Sequence, residues 1–110
     1  MAITTIEAGS HSGGVVNCYS ANITGDGNDQ VVRLGFVGRA AEVVIGADLY
    51  EILVHYPKTG AAVQKVWKNR TADATGNVVF VVEDGGKNYL LIKSAVLANA
   101  ATALILVWGN

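Results

Sequence analysis

Charge is what this sequence has least of. Only 15% of its 110 residues are Asp, Glu, Lys or Arg, against 51% hydrophobic, where soluble domains average about 25% charged. Mean hydropathy is positive, so little polar material is left to cover an exterior, and part of that exterior is expected to be an interface. The eight basic residues are scattered among nine acidic ones, for a net charge of −1. Phosphate recognition needs a basic stripe, and with none present no nucleic-acid partner is expected. A single cysteine, Cys18, excludes an intrachain disulfide and a cysteine-based zinc site, in keeping with folding in a reducing cytoplasm. Its simplest role is a small buried residue.

Long apolar runs are missing as well. The richest stretch, 95–108, is interrupted by Asn99 and Thr102 and is too short to span a bilayer, so no membrane partner is expected. Positions 1–14 have neither a basic start nor an apolar centre, so no secretory signal is expected. No internal repeat, Pro- or Ser-rich linker or low-complexity tail divides the chain. Surface scaling for this mass gives roughly 5,800 Å² exposed when folded against about 16,700 Å² unfolded, enough burial for one core without metal or disulfide. The expected organisation is an amino-terminal arm or edge strand over 1–14 and a single β domain over 15–110.

Valine and glycine are abundant, at 16 and 13 residues. Short Val-rich segments bounded by Gly, Asn, Asp and Pro read as strands, while helical periodicity is nearly absent. The expected strands cover 4–8, 15–23, 30–37, 41–45, 50–56, 62–69, 77–83, 88–93 and 103–108, which makes the fold class all-β, an antiparallel β-sandwich or barrel of about eight strands. Three turn sequences, Gly25-Asp26-Gly27-Asn28-Asp29, Pro57-Lys58-Thr59-Gly60 and Asp84-Gly85-Gly86-Lys87, predict short antiparallel connections. The Ala-rich segment 94–102, with Ser94 as a possible N-cap, is open between a short helix and a loop.

Alternation separates half-buried strands from fully covered ones. Strand 62–69 carries charge on both faces, from Lys65 and Lys68, and is expected to be partly exposed. Segments 78–82 and 104–108 are apolar at every position, so both faces need cover. A small sandwich covers one face from within. The other must meet a loop, another layer or another subunit.

The motifs carry no catalytic chemistry. An EF-hand loop starting at Asp26 fails at its fifth, sixth and twelfth positions, which are Gln30, Val31 and Val37, so a turn is the simpler reading. His11 and His55 are the only imidazoles, and no strained nucleophile elbow occurs. Gly9-Ser10-His11-Ser12-Gly13-Gly14 lacks the Gly-Lys-Ser/Thr ending of a phosphate loop. Asn22-Ile23-Thr24 and Asn69-Arg70-Thr71 match glycosylation acceptors, with no signal to bring them to that machinery. Trp67, on its mixed strand, could stack on a sugar ring. These observations predict no enzyme, no cofactor and no metal.

The Met1-Ala2-Ile3-Thr4-Thr5 opening, followed by Val-, Ala-, Gly-, Asn- and Thr-rich strands without cysteine pairs, resembles small tailed-phage virion proteins of the head-decoration, or cement, type. The resemblance implies a β-rich protein of the virion, made in the host cytoplasm, that self-associates on the outside of a bacteriophage capsid and clamps neighbouring major capsid subunits or another virion protein. The amino-terminal stretch would lie along the shell. The expected assembly is a symmetric homo-oligomer, a trimer on a larger shell. The expected interface residues are Ile3, Ile6, Val15 and Val16 in the arm, with Leu104, Ile105 and Trp108 between subunits. The alternative is a carbohydrate- or receptor-binding β-sandwich, a fibre tip or adhesin, using Trp67, Tyr56, Asp26 and Asp29.

Overall fold

The computed structural model describes residues 2–9, 17–83 and 87–109. Among them are ten strands and no helix: β1 Ile3–Gly9, β2 Asn17–Thr24, β3 Asp29–Leu34, β4 Gly38–Ile45, β5 Asp48–His55, β6 Val63–Lys68, β7 Thr71–Ala72, β8 Val78–Val82, β9 Asn88–Ile92 and β10 Thr102–Gly109. They form a four-stranded sheet in the order β1-β3-β9-β8 and a six-stranded sheet in the order β2-β10-β4-β5-β6-β7. The two sheets pack as a sandwich and no barrel closes. All pairings are antiparallel except β1 with β3, so the described part of the expected arm is a paired edge strand.

Alternation decides which residues meet inside. Ala41, Val43 and Ile45 of β4, Tyr50, Ile52 and Val54 of β5, and Ala103, Ile105 and Val107 of β10 face Val32, Leu34, Val78, Phe80, Leu90 and Ile92 of the smaller sheet across one core. This is the face-to-face packing of two half-apolar sheets. A side chain at Gly38 would put its Cβ 2.6 Å from Phe80 Cε1 and 2.9 Å from Leu34 Cδ1, so the close approach of the sheets there requires glycine.

Two side-chain amides tie the sheets together. Asn88 of β9 accepts from the Gly38 N–H at 2.8 Å and donates to the Gly38 carbonyl at 2.8 Å and to the Tyr56 hydroxyl. Gln64 of β6 accepts from the Phe80 N–H at 2.7 Å and donates to the Phe80 carbonyl at 3.1 Å. Gln64 thereby satisfies part of the outer edge of β8, an edge strand that would otherwise present unpaired backbone groups.

Two expectations change and one open segment is decided. The connection 25–28 is not a hairpin, because β2 and β3 lie in different sheets. It is a crossover, in which Gly25 exchanges backbone hydrogen bonds with Ala100 and Ala101. Segment 94–102 forms turns rather than a helix: Leu97 is fully buried against the core, Ala100 takes a positive φ of 68°, and the bonds to Gly25 replace a helical ladder. Cys18 is exposed, since β2 directs its even-numbered side chains outward. The antiparallel pairs β5–β6 and β8–β9 agree with the other two turn sequences, although Asp84, Gly85 and Gly86 lie outside the described residues.

Candidate functional site

The outer face of the six-stranded sheet is where period-2 alternation leaves apolar residues unused. Its register aligns three cross-strand rows. One runs Asn22, Leu104, Val44, Leu49; the next Ser20, Leu106, Glu42, Glu51, Trp67; the third Cys18, Trp108, Ala40, Leu53, Lys65. Leu104 is 56% exposed, Leu53 55% and Val44 36%, with Leu106, Trp67 and Trp108 half-buried around them. The outer positions of β10 therefore have no covering layer among the described residues. In β8 the same alternation buries Val78 and Phe80 and leaves Val79 and Val81 half-buried on the outside.

Within this face lies a cleft of about 150 Å³ lined by Ala40, Glu42, Glu51, Leu53, Trp67 and Trp108, with the backbone of Ala41 and Ile52. The two indoles stand on β6 and β10, separated by β5 and β4, which is three strand spacings or roughly 14 Å. Ala40 supplies the depression, because a larger side chain would fill the space beside Trp108. Glu42 and Glu51 are directly opposed across β4 and β5, where side chains stand about 5 Å apart and like charges repel. The ion pairs among the described residues, Arg33–Glu83 and Lys68–Asp48, involve neither of them. Beyond Trp67 the cleft opens into a shallower depression of about 420 Å³ that Glu51, Leu53, Trp67 and Arg70 line. Asn69 and Arg70 both have positive φ, 51° and 69°, the geometry of a two-residue I′ hairpin turn. Asn69 anchors that turn through bonds to the Leu49 N–H and to Asp48.

The residues expected from sequence distribute unevenly. Leu104 and Trp108 lie on this face, and Trp67 joins them. Ile105 does not: it points inward and is fully buried, so it is a core residue that offers no surface to another subunit. Ile3 is 59% exposed on edge strand β1, while Ile6 is half-buried and packs against the core. Val15 and Val16 lie outside the described residues, as does His11.

The four residues of the alternative ligand site do not converge. Tyr56 is half-buried, with its hydroxyl on Asn88 and Arg39 5.2 Å from its ring centroid. Asp26 accepts from the Thr4 hydroxyl and from the Asn28 N–H, and these bonds hold its carboxyl below the ordinary range. Asp29 accepts from the Ser94 N–H at 2.8 Å. Both aspartates are thus occupied in fixing loops. His55 is exposed at the end of β5 opposite Val63. Among the described residues no group of three or more His, Cys, Asp or Glu is placed to hold a metal ion.

Glu42, Glu51, Ala40, Val44, Leu53 and Leu106 were not singled out from sequence. Alternation within β4, β5 and β10 assigns each to a face, but only the order β10-β4-β5-β6 brings Trp108 toward Trp67 across intervening carboxylates. No known protein family, curated protein or solved structure matches the chain.

Proposed function

We propose that the protein is a non-enzymatic structural subunit of a virion shell, of the capsid decoration type, which self-associates and stabilises the shell by covering its own sheet face against neighbouring chains. The observation that carries this reading is the outer face of the six-stranded sheet, where Leu104, Val44, Leu53, Leu106 and Trp108 lie together around the Glu42 and Glu51 pair. Patches of this kind mark interaction surfaces. A protein that binds only the assembled state stabilises that state by linkage, so no chemistry is required of it. Burying the exposed half of Leu104 or Leu53 contributes about 1–1.5 kcal/mol, and several such residues on each of many copies accumulate around a shell. Edge strand β1, with Ile3 outward, offers a second contact at the margin of the smaller sheet.

The test is made on particles. Purified virions of its source should contain the chain in stoichiometric amount, and particles lacking it should release their genome at lower temperature, with resistance restored by adding the purified chain. Absence from particles, or unchanged heat resistance without it, would overturn the proposal.

A further inference from the structure

We propose that the Trp67–Trp108 cleft takes a guanidinium group, an arginine side chain offered by the chain that covers this sheet face. The inference rests on the docking role proposed above and assigns the chemistry of one contact within it.

The cleft's walls are aromatic and its charged lining is acidic. Indole faces attract cations, and guanidinium most readily, because its planar, weakly hydrated ion also stacks. The carboxylates that line the cleft, Glu42 and Glu51, are cross-strand neighbours with no ion pair among the described residues. A cross-strand separation of about 5 Å is one that a guanidinium fork can bridge with charge-assisted hydrogen bonds to both sides. On the surrounding strands Arg39 lies over the Tyr56 ring and Lys68 pairs with Asp48; the two cations at the margin of the cleft are Lys65, one row away beside Leu53, and Arg70, in the turn after β6, which lines the outer depression with Glu51. Neither lines the inner cleft, whose charged residues are both negative. The surrounding face is apolar, so a partner covering it would strand Glu42 and Glu51 as desolvated, mutually repelling charges unless it brought a cation. Charge complementarity therefore selects the occupant.

Trp67 and Trp108 are the only tryptophans in the chain, so intrinsic fluorescence reports directly on the cleft. The natural chain and Leu104→Asp, whose sheet face a second copy should no longer cover, would each be titrated with N-acetylarginine amide at constant ionic strength. N-acetylcitrulline amide, the uncharged isostere, and a methyl glycoside serve as parallel probes. A saturable response to the arginine probe at millimolar concentration is expected in at least the Leu104→Asp chain. It should weaken tenfold or more in Glu42→Gln/Glu51→Gln, whose fold is checked by its urea midpoint, and should be absent with citrulline. An equal response to citrulline, a response unchanged by the double substitution, saturation by the glycoside alone, or silence in both chains would overturn the proposal. Monomeric behaviour of the natural chain in solution would count against the docking role while leaving the titration readable. Silence of the titration alongside intact assembly would remove only the arginine contact.

Discussion

Asn88 joins the two sheets through a side chain that is 1% exposed. Replacing it with Ala leaves the Gly38 N–H and carbonyl buried without partners, and each such group costs about 1–3 kcal/mol. Asn88→Ala is expected to lower unfolding free energy by about 3 kcal/mol, measured by urea denaturation. The neighbouring phenol predicts a pH dependence. Burial raises the Tyr56 hydroxyl above its ordinary 10.0, with smaller opposing contributions from Asn88 and Arg39, and burial likewise raises Tyr50. The fold thus favours neutral phenol. The contribution is complete below the unfolded value near 10 and is lost as pH rises through the higher folded value. The urea midpoint should fall on going from about pH 9 to 11, and less steeply in Tyr56→Phe. None of this bonding was legible in the sequence, where Asn88 reads only as the polar start of a strand and Tyr56 as a possible ligand contact.

At the scale of elements, β8 shows how an edge is protected. Its Phe80 N–H and carbonyl face the side chain of Gln64 instead of another strand. Gln64→Ala should leave β6 paired with β5 while loosening β8, so hydrogen exchange should rise at Phe80 and its neighbours with little change in β5. Uniform loss of protection across both sheets would argue against this local role. Strand existence was readable because valine-rich segments between turn residues have few other options, and the antiparallel pairings of β5 with β6 and of β8 with β9 agree with the turn residues between them. The 25–28 connection was not readable, because glycine and aspartate suit a crossover as well as a hairpin. Segment 94–102 stayed open in the sequence because the helix propensity of its alanines is worth only tenths of a kcal/mol per residue, less than burial of Leu97.

At the scale of the molecule, the apolar character of 104–108 was visible in the sequence and its division between faces was not. Ile105 fills the core while Leu104 lies 56% exposed beside Val44, so one strand serves both the interior and the candidate interface. Sequence placed Trp67 and Trp108 in separate roles because they are paired only through strand order. If the face is an interface, a charge in its middle should abolish association without disturbing the core, since Leu104 and Leu53 point away from it. The most direct measurement is molar mass by light scattering during size-exclusion chromatography, on the natural chain at micromolar concentration and on Leu104→Asp/Leu53→Asp. The account predicts a discrete oligomer, with a trimer expected, for the natural chain and a folded monomer for the variant. A natural chain that elutes as a stable monomer, or a variant that assembles unchanged, would contradict it.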